Sequence, residues 1–199
     1  MTDELAIARS ELILGGQKSG KSRRAELLAL AWLARSPAHG AVLIATAQPW
    51  DEEMRERIAR HQYDRAARVP NLHTIEEPLH LAQTLARHSQ PQTLVVVDCL
   101  TLWLTNWLMP VEKCKSYEQK QAFAHVQRAQ VAIVLGALKE APGPVVLVGN
   151  EIGLGVIPLG RETRAFVDAL GRLNQDMAQV CERVTFMAAG LPLTLKGQP

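Results

Sequence analysis

Residues Gly15-Gly16-Gln17-Lys18-Ser19-Gly20-Lys21-Ser22 follow the spacing G-x-x-x-x-G-K-[ST]. The chemistry this spacing serves is phosphate binding. Glycines let the backbone curl until successive N–H groups point inward at phosphate oxygens. A helix starting at the end of the loop adds its free N–H groups and the positive end of its dipole. Lys21 is then placed to reach the β- and γ-phosphates, and the Ser22 hydroxyl to hold a magnesium ion. The flanks agree: Leu12-Ile13-Leu14 is a short apolar run, and Arg23-Arg24-Ala25-Glu26-Leu27-Leu28-Ala29-Leu30 favours helix. Strand, loop and helix occur in the required order, so the segment predicts nucleoside triphosphate binding.

Other residues could complete such a site. Val95-Val96-Val97-Asp98 is an aliphatic strand ending in a carboxylate, expected on a strand beside the loop. Asp98 can support a magnesium ion there, or cap the next helix. Asp51-Glu52-Glu53 opens a helix in which Met54, Ile58 and His61 recur at i, i+4 and i+7. That spacing turns the imidazole toward the protein. A neutral imidazole is a competent nucleophile, yet spacing alone equally allows a structural histidine. Glu76 and Glu77, before Pro78, can accept from a base or ribose hydroxyl or serve as helix-start acids. Asn150-Glu151-Ile152-Gly153-Leu154-Gly155 follows a buried strand and suits a tight loop near a ligand or a plain turn. Arg172 and Asn174 read as solvated or interface polar residues, with substrate contact the alternative. His39, His73, His80, His88 and His125 read as surface residues.

The elements that must position these groups are legible as alternation. Strands are expected at Leu12–Leu14, Ala41–Thr46, Thr93–Asp98, Val145–Gly149, Val184–Ala188 and Leu193–Leu195, mostly continuous apolar runs suited to a sheet buried on both faces. Helices are expected at Ser22–Arg35, Asp51–Arg65, Pro78–His88, Tyr117–Glu140 and Arg161–Cys181, the last with Phe166, Leu170, Leu173 and Met177 as a buried stripe. Pro110–Gln121 reads as a polar surface loop. The pattern predicts one α/β domain over residues 1–199, with a three-layer, mostly parallel sheet. Gly190-Leu191-Pro192 predicts a hairpin and an antiparallel last strand.

Composition narrows the classes. The 199 residues carry a formal net charge of +2 with scattered basic groups, which argues against a nucleic-acid surface. No apolar run approaches the roughly 20 residues of a membrane span. Cys99, Cys114 and Cys181 have neither disulfide nor zinc spacing, and the amino terminus lacks a signal-peptide pattern. The expected compartment is the cytoplasm.

Taken in order, these segments resemble the bifunctional adenosylcobinamide kinase/adenosylcobinamide-phosphate guanylyltransferase family of cobalamin biosynthesis. The resemblance runs from Glu11 to Lys196. It is carried by Gly15–Ser22, Ala45-Thr46-Ala47, Asp51-Glu52-Glu53-Met54 with Arg57-Ile58 and His61, and Thr74 with Glu76 and Pro78. It continues through Val97–Asn106, Asn150–Pro158, Gly171-Arg172-Leu173-Asn174-Gln175 and Ala189-Gly190-Leu191-Pro192-Leu193. The loop alone is widespread; the ordered set is specific. The resemblance implies a phosphate-loop fold of the RecA-like type and two reactions at one site. The first is phosphorylation of the adenosylcobinamide hydroxyl by ATP or GTP. The second is transfer of GMP from GTP, through a guanylylated histidine, to adenosylcobinamide phosphate.

By the same resemblance His61 is the guanylylated residue and Lys21 the second catalytic residue. Nucleotide contacts fall on Gly15, Gly16, Gln17, Lys18, Ser19, Gly20, Lys21, Ser22, Ala45, Thr46, Ala47, Gln62, Tyr63, Asp64, Arg65, Glu76 and Asp98, and Mg2+ on Ser22 and Asp98. A homo-oligomer is also implied, with a trimer as its form. Three positions depart from the family pattern: Lys18 replaces a frequent arginine, Leu72 an aromatic residue, and Gly149 a small hydroxyl residue. Two other classes compete. A single-activity kinase of another small metabolite would leave His61 structural, and a nucleotide-dependent switch would need an Asn-Lys-x-Asp motif, which the sequence lacks.

Overall fold

Continuous apolar strands require cover on both faces, and the chain supplies it with helices on either side of one sheet. The computed structural model describes residues 5–108 and 117–198. In chain order the elements are β1 (Ser10–Gly15), α1 (Lys21–Arg35), β2 (Gly40–Ala45), α2 (Glu52–Arg68), β3 (Leu72–Glu76), α3 (Leu81–His88) and β4 (Thr93–Asp98). They continue with α4 (Leu100–Leu108), α5 (Tyr117–Glu140), β5 (Val145–Val148), α6 (Arg161–Val180), β6 (Arg183–Ala188) and β7 (Leu191–Lys196). The seven strands lie in the order β3-β2-β4-β5-β1-β6-β7. All pairs are parallel except β6–β7, the expected hairpin.

Two apolar clusters sandwich the sheet. On one face Leu12, Leu14, Val95, Val97 and Leu147 meet Leu85 of α3, Trp103 of α4, Val134 of α5 and the Leu170, Leu173, Met177 stripe of α6. On the other, Ile13, Leu43, Val96 and Val146 meet Ala25, Leu28 and Ala29 of α1, with Val69 at the end of α2. Lys196 fastens the last strand to α6, its Nζ donating to the carbonyls of Ala178, Gln179 and Cys181.

Several expectations need correction. β4 does not lie beside β1, because β5 runs between them. β3 is a sixth parallel strand at residues where no strand was expected, and α4 is an additional helix. The carboxylate of Asp51 caps α2 from outside by accepting from the Met54 N–H at 2.7 Å, and the helix continues past Arg65 to Arg68. α3 starts at Leu81, three residues after Pro78, with Glu77 accepting from the N–H groups of Leu79 and His80. Of the expected loop Pro110–Gln121, residues 110–116, Cys114 included, lie outside the described residues, and α5 has begun by Tyr117. His39 is no free surface residue: its ring stacks on Trp32 at 3.9 Å between centroids, and Nδ1 lies 2.8 Å from the Trp32 carbonyl.

Candidate active site

Because six strands run parallel, their carboxyl ends share one edge, and the loop between β1 and α1 turns there. Gly15 has φ +152°, and a Cβ on it would sit 2.4 Å from the Met187 carbonyl oxygen, so only glycine fits. Lys18 (φ +56°) and Gly20 (φ +102°) are also left-handed, which curls the loop before α1. The Ser19 N–H donates to the Gly16 carbonyl at 3.3 Å, and the Gly190 N–H of the β6–β7 turn to the Ser19 carbonyl at 3.0 Å. Lys21 is buried, and its Nζ donates to the Gly16 carbonyl at 2.5 Å. Burial lowers its pKa, Cys99 and Asp98 oppose that, and Arg57 adds to it. Gln17 and Lys18 are exposed; Gly16, Gly20 and Ser22 are half-buried.

The neighbouring strand ends arrive in register. Ala45 lies opposite both Glu76 and Asp98, and Asp98 opposite Val148. Buried polar side chains hold these ends together. The Thr46 hydroxyl donates to the Cys99 carbonyl at 2.7 Å and accepts from the Cys99 N–H at 3.0 Å. Asn106, buried on α4, donates to the carbonyls of Thr46 (2.8 Å) and Pro78 (3.0 Å). The Thr101 hydroxyl accepts from the Asn150 N–H at 2.8 Å. Asn174 is buried, contrary to its expected solvated role, and Nδ2 donates to the Asn150 carbonyl at 3.1 Å. Arg172 is exposed as expected.

α2 overhangs this edge. It is strongly polar, and only Met54 and Ile58 (half-buried) and Arg65 (buried) turn inward. His61 lies three residues beyond Ile58 but is exposed, a shallower position than the i, i+4, i+7 spacing suggested. The surrounding protein still desolvates the ring and lowers its pKa; Asp98 pulls it upward, and Arg57, Arg60 and Arg65 depress it further. The fields of Asp98 on both His61 and Lys21, and of Arg57 on both, tie this helix electrostatically to the loop. Arg57, His61 and Arg65 form an i, i+4, i+8 row on one helical face.

Gln62 and Glu76 meet directly, Nε2 donating to Oε1 at 3.0 Å. Thus Glu76 joins the α2 side of the site, whereas Glu77 is the helix-start acid. Ala47 is half-buried beside Thr46. Tyr63 is 77% exposed, and Asp64 pairs with Arg68 on its own helix at 3.8 Å, so neither is brought to the loop by a contact. Cys99, next to Asp98, is no rival nucleophile: burial pushes its thiol up to about 12. Thr101 and Asn106 stood in the Val97–Asn106 segment of the family resemblance, but no role was read for either, because a hydroxyl and an amide inside the run Leu100–Leu108 do not announce which strand ends they bond.

A glycine loop crossing from strand to helix, a lysine at its floor and a carboxylate two strands away define a phosphate-loop nucleotide-binding protein. The chain belongs to the cobinamide kinase/cobinamide phosphate guanyltransferase family, whose model matches residues 11–195. It is 47% identical over 190 residues to the bifunctional adenosylcobalamin biosynthesis protein CobP of Pseudomonas aeruginosa, spanning 95% of this chain and 98% of that one. The bifunctional adenosylcobalamin biosynthesis proteins CobU of Escherichia coli and Salmonella typhimurium are 33% and 34% identical over 187 and 188 residues, each spanning 93% of this chain and 98% of theirs. The protein is therefore an enzyme of cobalamin biosynthesis with cobinamide kinase and cobinamide phosphate guanylyltransferase activities.

Proposed function

We propose that both reactions use one nucleotide site and that His61 carries GMP in the second. In the kinase step the loop amides and Lys21 hold the triphosphate of ATP or GTP while the adenosylcobinamide hydroxyl takes the γ-phosphoryl group. In the transferase step an imidazole nitrogen of His61 attacks the α-phosphorus of GTP, the bond to the β-phosphate oxygen breaks, and pyrophosphate leaves. A phosphate oxygen of adenosylcobinamide phosphate then displaces the imidazole, giving adenosylcobinamide-GDP. Imidazole suits this exchange because it attacks when neutral and leaves well once protonated. The observation that carries the reading is His61 itself, exposed on α2 yet within the electrostatic reach of Asp98 and flanked by Arg57 and Arg65. The Gln62–Glu76 bond supports a nucleoside-facing edge nearby.

Ser22, half-buried at the start of α1, and Asp98, half-buried at the end of β4, are the residues that would hold Mg2+. Such an ion takes one or two protein oxygens and completes its shell with water and phosphate. Bound there, it would neutralise charge on the phosphates and the departing pyrophosphate. Residues 1–199 are taken to act as one domain in the cytoplasm, a compartment suited to the buried free thiols Cys99 and Cys181.

The test is incubation with GTP labelled at the α-phosphate. Wild-type protein should retain acid-labile, alkali-stable label after denaturation, and His61→Ala none. That variant should lose guanylyl transfer by roughly a thousandfold or more while its kinase rate stays within several-fold. Equal loss of both activities in a folded variant would remove His61 from the covalent role.

A further inference from the structure

The segment between β5 and α6 is apolar where the core gives no reason for it. Leu154, Val156, Ile157 and Leu159 are 78%, 96%, 76% and 97% exposed. Its root is bonded to the nucleotide site, because the Glu151 N–H donates to the Gly15 carbonyl at 3.0 Å and Asn150 is held by Thr101 and Asn174. Its far end is tied down as well. Arg164 of α6 donates through Nη1 to the carbonyls of Pro158 (2.9 Å) and Leu159 (2.5 Å). Between the two ends lies an open cavity of about 230 Å3, walled by Ile152, Val156, Ile157 and Pro158, with Arg164 and Asp168 on its α6 side.

We propose that this loop is the seat of the acceptor's macrocycle. This rests on the cobinamide kinase activity of the family, and concerns which surface of this chain carries the acceptor. Cobinamide is a broad ring system with apolar faces and amide groups around its rim. Its reacting hydroxyl must come to the γ-phosphate at Gly15–Ser22, so the bulk of the molecule must rest on surface adjoining that loop. The 152–159 segment adjoins it through the Glu151–Gly15 bond and offers apolar side chains to a ring face. The Arg164 and Asp168 side chains border the cavity, where rim amides can meet donor and acceptor. Anchors at both ends pre-form the surface, so little ordering is required when the acceptor binds. A second copy of the chain would also cover apolar side chains, but it would have no need of continuity with the phosphate loop.

The test is the double variant Val156→Ser/Leu159→Ser, whose altered side chains are almost wholly exposed and contribute nothing to the core. The KM for adenosylcobinamide in the kinase reaction should rise about tenfold or more, and dicyanocobinamide binding measured by calorimetry should weaken by a similar factor. GTP affinity and the thermal midpoint should match those of the wild type. An unchanged KM, with wild-type protein active, overturns the proposal. A reduced sedimentation mass with KM unchanged also overturns it, and assigns the loop to a second copy. Failure of wild-type protein to phosphorylate adenosylcobinamide would instead remove the acceptor reading beneath the proposal.

Discussion

The attack proposed for His61 depends on its proton. Burial is the main cause of its lowered pKa; Asp98 works against the shift and the three nearby arginines reinforce it. The ring therefore takes up a proton less readily than an ordinary histidine, and guanylylation should hold to a lower pH than an unperturbed imidazole would allow. Only below the depressed pKa should the rate fall, by about tenfold per unit. Removing one depressing charge with Arg57→Ala should move the inflection upward, read by NMR titration of the His61 ring proton. A downward or absent shift would mean that Arg57 does not act on the ring. The linkage sign follows: the unfolded chain binds this proton more readily, so His61 favours the fold above pH 6.5 and that contribution is lost as pH falls through the folded value. A second residue-scale case is Gly149. Among the described residues the Oδ1 of Asn174 is buried without a hydrogen-bond partner, and a Cβ built on Gly149 would lie 3.3 Å from it. A serine there brings a donor, whereas an alanine brings only crowding, including 3.1 Å to Leu14 Cδ2. Gly149→Ser should be more stable than Gly149→Ala by about 1 kcal/mol in denaturant unfolding. Equal stabilities would show that the Asn174 oxygen is not reached.

At the scale of elements, α4 joins the strand ends into one platform. Asn106→Leu would leave the carbonyls of Thr46 and Pro78 without their donor in a buried setting. The expected cost is about 2–3 kcal/mol in urea unfolding, together with weaker nucleotide binding as the end of β2 loosens. An unaffected midpoint would mean that water takes over both bonds. The same helix shows why legibility in the sequence was uneven. The glycine loop and the strands β1, β4 and β5 were readable because their signals are local: glycine spacing and unbroken aliphatic runs. Leu100–Leu108 is apolar almost throughout, so no helical period marked it. β3 alternates Leu72, His73, Thr74, Ile75 and Glu76 because it is an edge strand, and the polar half hid the strand. The buried Leu72 belongs to the apolar cluster on the α1 face of the sheet. The insertion of β5 between β1 and β4 is a non-local fact that no short window encodes. Spacing gave His61 its side of α2 but not its depth, since Arg65 is the residue that goes under.

At the scale of the molecule, the β7 edge is the feature that a lone chain leaves unprotected. Among the described residues β7 pairs only with β6, and along it Leu191, Leu193 and Leu195 alternate onto one face, 71%, 59% and 58% exposed. A sheet edge offers free N–H and C=O groups, and apolar side chains on it invite another chain. Single chains usually blunt such edges with charge; here Lys196 turns away to the carbonyls at the end of α6. We therefore expect β7 to lie in a contact between copies, in keeping with the homo-oligomer that the family resemblance implies. Sedimentation at micromolar concentration should give a mass that is a multiple of the 21.9 kDa chain. Leu193→Lys puts a charge in the middle of the face without emptying any core position, and should return the protein to the single-chain mass. The thermal midpoint of the wild type should rise with protein concentration, as association requires, and that of the variant should not. A wild-type protein that sediments as one chain, with a concentration-independent midpoint, would leave the β7 leucines solvent-exposed and exclude this edge as a subunit contact.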